Sequence, residues 1–355
     1  MRLLSLRHRH PGSTLLGAAL AASVIALTAA TPAAAQPARF VVPTVPPGAQ
    51  WLKGNTHTHT TNSDGDTPPE QVARWYKSHK YDFLVLSDHN VFTDPATLAS
   101  LVDSTFLLIP GEEVTTAFQN ASVHVNALDI KRLIPAPKGN SLLETVQNTI
   151  DAIRADNAIP HINHPNFRWS IDTTVLWRMR NDRLIEIHNG HPTVHNEGGG
   201  DWPGLEEAWD ALLTRGKRIF GIAVDDAHHF QQEFAPDRAN PGRGWVAVRT
   251  ARRNGRAIVE ALDAGDFYAS SGPVLSDIVV TDTTLAITIA RTGDFKYTTQ
   301  FVGENGRILA TDKSLTPRYT LSGGEKYVRA RVIDSGGHVA WVQPVFTTRF
   351  VERAP

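Results

Sequence analysis

The chain has 355 residues, 41% of them hydrophobic and 20% charged, with a formal net charge of -1 at neutral pH. That balance excludes a disorder-dominated chain, gives nucleic acid no bulk electrostatic pull, and leaves room for a large domain and a smaller one. There is no cysteine, so disulfides, thiolate nucleophiles and cysteine zinc sites are excluded, and any metal must be held by His, Asp and Glu.

Arg2, Arg7 and Arg9 precede an apolar run from about Leu15 to Leu27, followed by small residues ending in Ala33-Ala34-Ala35. This is the pattern of a secretory signal peptide over residues 1–35. Cleavage is expected after Ala35, giving a secreted or periplasmic protein. The run is shorter than the roughly 20 apolar residues of a membrane span, so no span is expected after cleavage. Cleavage removes three arginines and no acid, which leaves 32 basic against 36 acidic residues. Residues 36–50, with Pro37, Pro43, Pro46 and Pro47, read as an extended lead-in.

A strand is expected over Trp51–His59, where alternation puts His57 and His59 on one face about 7 Å apart. Ser63-Asp64-Gly65 is a turn signal that can return the Asp64 carboxylate over the same strand end. A helix over Pro68–Lys80 follows, then a short strand over Asp82–Leu86 delivering Ser87-Asp88-His89-Asn90. Pro95–Val102 is helical in pattern. A strand over Thr105–Ile109 leads to Gly111-Glu112-Glu113, and one over Ser122–Leu128 carries His124.

Apolar residues at Leu143, Val146, Ile150 and Ile153 predict a helix over Leu142–Asn157. It feeds a strand that ends in His161 and Asn163-His164-Pro165. Arg183–His188 is a strand, Leu205–Thr214 a helix, and Arg218–Val224 a strand ending in Asp225-Asp226-Ala227-His228. Gly244–Val248 and a helix over Ala257–Ala264 close this part. Alternating helices and short apolar strands predict a parallel sheet buried on both faces, most economically an α/β barrel over residues 51–270. Residues 271–355 change to period-two strands with turn residues, as in a small antiparallel β-sandwich.

Histidines and acids fall at the carboxyl ends of successive strands, where barrels build their sites. The set is His57, His59, Asp64, His89, Glu113, His124, His164, Asp226 and His228. The motifs His57 to Gly65 (HxHxxxSDG), Ser87 to His89, Gly111 to Glu113, the isolated His124, Asn163 to Pro165 and Asp226 to His228 resemble the PHP (polymerase and histidinol phosphatase) metallohydrolase family. The resemblance covers roughly Leu52 to Ser271. Within the family the texture is similar to a branch that includes carbamate hydrolases resembling carbaryl hydrolase, which likewise join a signal peptide, a barrel and a C-terminal β-domain.

The resemblance implies a distorted seven-stranded β/α barrel with two or three divalent metal ions in its mouth. His57, His59, Glu113 and Asp226 would hold one, Glu113 as a bridge with His124 and His164 a second, and Asp64, His89 and His228 a third. Glu113, Asp226 and His228 would be catalytic through that centre. Six histidines and three carboxylates suit Zn, Mn or Fe better than Mg or Ca. A metal-bridged hydroxide acting on a small-molecule phosphoester is the leading expectation. A carbamate, ester or amide hydrolase and a non-catalytic metal-stabilised binding protein are the rivals. Arg168, Glu186, His188 and His191 are candidate substrate contacts, with Arg180, His161 and His195 as further polar candidates. Asp88 and Asp225 are expected to orient ligands rather than to be ligands.

Overall fold

The computed structural model describes residues 37–353, and the signal-peptide reading of residues 1–35 lies outside them. The apolar runs become neighbouring strands of one sheet. These are β1 (Gln50–Asn55), β2 (Phe83–Leu86), β3 (Leu107–Phe118), β4 (Ala121–Leu128), β5 (Ile159–Ile162), β6 (Leu184–Asn189) and β7 (Phe220–Val224), each beside its successor. Between them lie α1 (Pro69–Ser78), α2 (Leu142–Ala155), α3 (Thr173–Arg178) and α4 (Leu205–Arg215). Pro95–Leu101 is a 3-10 segment. On α2 the expected stripe is real: Val146, Ile150 and Ile153 are buried, and the Ser141 hydroxyl accepts from the Glu144 N–H at its start. Such a cap contributes about 1 kcal/mol. Among the described residues no helix is long and apolar enough to cross a membrane.

The sheet is mixed rather than parallel. The pairs β1–β2, β2–β3, β5–β6 and β6–β7 are parallel, but β3–β4 and β4–β5 are antiparallel. The cause is a hairpin. β3 continues past Glu113 to Phe118, turns through Gln119 at φ 53°, and returns as β4. The first and seventh strands meet beyond their carboxyl ends, where Asp226 N donates to His57 O (3.0 Å) and His59 N to Ala227 O (2.9 Å). His57 and His59 therefore stand just past β1 rather than within it.

β8 (Trp245–Thr250) pairs antiparallel with the other side of β1, and α5 (Gly255–Ala264) follows it. Then come β9 (Phe267–Ser270), β10 (Val274–Val280), β11 (Thr284–Ala290), β12 (Tyr297–Val302), β13 (Ile308–Asp312), β14 (Arg318–Thr320), β15 (Tyr327–Asp334) and β16 (Val339–Phe346). β9 was not expected. It pairs with β8 and with β16, so that β16, β15, β12 and β13 extend the first sheet instead of forming a separate one. β10, β11 and β14 make a second, antiparallel sheet. Its Leu275, Ile278, Leu285 and Ile287 share a buried core with Tyr297, Phe301, Val328 and Val332 of the large sheet.

Candidate metal centre

The loops at one end of β1–β7 are fixed by backbone-directed hydrogen bonds. Asn55 Oδ1 accepts from His57 N (2.8 Å) while its amide donates to Gly244 O (2.9 Å). Asp88 accepts from Thr60 N, Thr60 Oγ1 and Ser63 Oγ, and so clamps the turn that carries Asp64. Gly65 N closes that turn on Thr60 O (2.9 Å), and a Cβ at Gly65 would stand 2.9 Å from the His59 carbonyl. At Gly111 a Cβ would lie 2.3 Å from Val85 Cγ1, so glycine lets β3 pass close to β2 and carry Glu113 inward. Asp225 accepts from Tyr76 OH, Arg243 N and Gly244 N, which anchors the chain just before Asp226.

All nine expected groups come together. His57 Nε2 lies 3.5 Å from Glu113 Oε2 and 3.2 Å from Asp226 Oδ1, and His59 Nε2 lies 3.3 and 3.2 Å from the same two oxygens. Donor atoms 2.0–2.1 Å from a tetrahedral ion stand about 3.3–3.4 Å apart. The four imidazole-to-carboxylate distances fall close to that spacing. Glu113 Oε1 faces His124 Nδ1 (2.9 Å) and His164 Nε2 (3.5 Å), so the two oxygens of one carboxylate look toward different imidazole pairs. Asp64 meets His228 Nε2 at 3.3 Å and His89 Nε2 at 3.5 Å. Three or more ligand atoms also converge within 4.8 Å in four overlapping groups that together contain all nine residues.

His57 Nε2, His59 Nε2, Glu113 Oε2 and His124 Nδ1 are buried without a hydrogen-bond partner. Buried polar atoms are normally satisfied, and four orphans aimed at one another fit bound cations. Burial would raise the Glu113 and Asp226 carboxyls, but the surrounding imidazoles, led by His124 and His57 respectively, hold both well below the usual carboxylate range. Burial lowers His59, with His228 adding to the effect, to about 4. That keeps it neutral and able to ligate.

The remaining candidates separate. Glu186 is fully buried; its Oε1 lies 2.7 Å from His57 Nδ1, and its Oε2 accepts from His164 N and the Asn189 amide. It is therefore no substrate contact. It orients His57 so that Nε2 faces the cluster. His188 is turned away, 3.1 Å from Arg243 O and 5.4 Å from the Trp341 ring centroid, because a register shift between Glu186 and His188 breaks the expected alternation. His161 is buried behind Glu186, with burial pushing its pKa to about 4. Arg180 lines a different cavity with Arg154 and Lys217. Arg168, His191 and His195 do line the cavity of about 600 Å3 that opens onto the cluster. Sequence reasoning did not single out Phe167, Pro192 and Val194 on its wall, nor Asn163 and Asn189, whose amides donate to Glu113 Oε1 and Asp226 Oδ2. The Asn of Asn163-His164-Pro165 was the available signal.

No family model matches the chain, and no curated protein matches it. Solved structures do. A two-domain protein from Bacteroides vulgatus containing a predicted PHP-like metal-dependent phosphoesterase aligns at TM-score 0.50 and 18% identity, over 86% of this chain and 98% of its own. The two share a fold. A proposed metal-dependent phosphoesterase from Bifidobacterium adolescentis aligns over 54% of this chain and 91% of its own (TM-score 0.40, 13% identity). An amidohydrolase from Chromobacterium violaceum, with bound sulfate and no metal, aligns over 53% and 93% (TM-score 0.37, 14% identity).

Proposed function

We propose that this protein is a secreted metal-dependent phosphoesterase of the PHP type, with β1–β7 as its barrel and its reaction at the nine-residue cluster. One observation carries the reading: the Nε2 atoms of His57 and His59 each stand 3.2–3.5 Å from carboxylate oxygens of both Glu113 and Asp226, and three of these four atoms are buried with no hydrogen-bond partner. These four residues would hold one ion, Glu113 with His124 and His164 a second, and Asp64, His89 and His228 a third. Zn, Mn or Fe suit that donor set. Bound divalent ions supply Lewis acidity, lowering the pKa of water and drawing charge from a phosphoryl oxygen.

The chain's own residues set the geometry. Glu186 fixes the His57 ring, Asn163 the Glu113 carboxylate and Asn189 the Asp226 carboxylate. Among the described residues Arg168 is the only Lys or Arg lining the cavity, and no acid pairs with it. Its guanidinium is free to take phosphoryl oxygens. His191 Nδ1 accepts from Thr193 N and burial pushes its pKa to about 4, so the neutral ring keeps its proton on Nε2 as a donor.

Metal analysis of the mature chain, with assays on phosphomonoesters, phosphodiesters and an aryl carbamate, tests this. Two or three ions per chain with phosphoester turnover are expected. Carbamate turnover without phosphoester turnover overturns the reaction, and bound metal with neither points to a binding protein.

A further inference from the structure

The cavity over the cluster is much larger than a phosphoryl group needs, and its outer wall carries an apolar strip of Phe167, Pro192 and Val194 among polar side chains. Its floor is made by the ligating residues. Above them stand Phe167, Pro192, Val194 and His195, with Arg168 at the rim. Phe167 begins one side of the wall, its ring centroid 5.2 Å from that of His164 and 6.1 Å from that of His124. His191 begins the other, 5.2 Å from His228.

The wall is stiff. Trp169 stacks on His195 with centroids 4.3 Å apart and planes 9° from parallel, and Trp202 stands 5.8 Å behind it. Asn166 ties these parts together, accepting from Trp202 Nε1 and donating to His195 O. Arg168 and Trp169 adopt φ 52° and 55° in succession. Consecutive non-glycine residues with positive φ are uncommon and mark a segment held by its surroundings for a purpose. Here the result is Arg168 at the cavity and Trp169 against the back of His195.

We propose that the leaving group of the substrate is a compact aromatic or otherwise apolar alcohol seated on Phe167, Pro192, Val194 and His195. This rests on the phosphoesterase reading. In the reaction the bond from phosphorus to the ester oxygen breaks, a bond from phosphorus to a water oxygen forms, and a water proton ends on the departing alcohol. A sugar or polyol would find donors in Arg168 and His191 but no free carboxylate to accept from its hydroxyls. All the carboxylates lining the cavity, Asp64, Glu113 and Asp226, belong to the cluster, and the Thr193 hydroxyl is engaged with His191 Nδ1 at 2.9 Å. Buried hydroxyls without partners are costly, whereas a ring gains by apolar contact and by stacking under a guanidinium. Arg168 already stacks this way, its guanidinium carbon 5.2 Å from the Phe167 centroid.

The test compares two inhibitors that no leaving-group reactivity can bias. Benzylphosphonate and methylphosphonate are titrated calorimetrically into the metal-loaded full chain, with phenyl phosphate, glycerol 2-phosphate and an aryl carbamate as substrates. Benzylphosphonate should bind at least tenfold tighter, and Phe167→Leu and Val194→Thr, checked for full metal content, should each cut that ratio at least threefold. Equal affinity of the two phosphonates with normal phosphoester turnover overturns the apolar subsite and leaves the phosphoesterase standing. A preference that survives both substitutions overturns the assignment of the wall. Turnover of the carbamate alone overturns the phosphoesterase reading instead.

Discussion

Two polar clusters stand in this fold, and they differ in how closely their charged members meet. Arg329, 1% exposed, lies where α4 meets the C-terminal strands. It donates to Asp210 through Nε and Nη2 (2.7 and 2.6 Å) and pairs with Glu206 through Nη1 at 2.7 Å. The opposing charges there stand in direct contact. At the mouth of β1–β7, His89 and His124 approach Glu113 at 2.8 and 2.9 Å, but the Nε2 atoms of His57 and His59 stop 3.2–3.5 Å short of Glu113 Oε2 and Asp226 Oδ1 and are orphaned. A two-pronged guanidinium–carboxylate contact such as Arg329–Asp210 gives stability or specificity to the fold, whereas imidazoles and carboxylates held just out of hydrogen-bond range leave room for something added.

That contrast can be broken in four ways, given from the largest effect to the smallest. Glu113→Gln should cut phosphoester turnover about a thousandfold or more, since several kcal/mol of charge stabilisation depend on the centre, and should lower metal per chain by elemental analysis. Full activity in that variant would remove the bridging role. Arg329→Ala leaves Asp210 buried without its partner and should cost about 3–5 kcal/mol in denaturant unfolding. Metal content should not change, and a loss of metal would show that the clusters are coupled. Glu186→Gln alters the support behind the His57 ring and beside His164 N and the Asn189 amide, and should weaken metal affinity by about 10–100-fold in a chelator competition. Unchanged affinity would reduce Glu186 to packing.

The mildest case lies in the C-terminal region. Burial would raise the Glu325 carboxyl, but hydrogen bonds from Tyr319 and Ser322 hold it at about 2 against an ordinary 4.5. A lowered folded-state pKa gives stability that is present above 4.5 and lost as pH falls through about 2. Glu325→Gln should therefore flatten the fall in unfolding midpoint across that window while leaving metal binding alone. A parallel fall in both proteins would remove the carboxylate from the acid limb.

The cluster was legible because most of its residues sit at or just beyond strand ends in short motifs, where spacing alone fixes which pairs neighbour each other. His57 with His59 and Asp226 with His228 are of this kind. What escaped depended on long-range pairing. The stretch after Glu113, Val114 to Phe118, has no clean alternation, so the continuation of β3 to Phe118 and its hairpin with β4 were invisible, and with them the two antiparallel steps of the sheet. β9 has only four residues, Phe267–Ser270, too few to show a period. Glu186 and His188 look equivalent in sequence, yet the register shift between them sends one beneath His57 and the other toward Trp341. The wall of the cavity comes from irregular segments after β5 and β6, which hydrophobic periodicity does not describe.

β9 also bears on how the molecule avoids self-association. Its outer edge is covered by β16, with Ser270, Ala269 and Tyr268 facing Ala340, Trp341 and Val342. A chain cut after residue 270 would present that row of backbone donors and acceptors bare, two strands from β1, as a template for pairing with another copy. The C-terminal strands thus act as an edge guard for β9, two strands from the one that delivers His57 and His59, and partial proteolysis there should show itself first as aggregation.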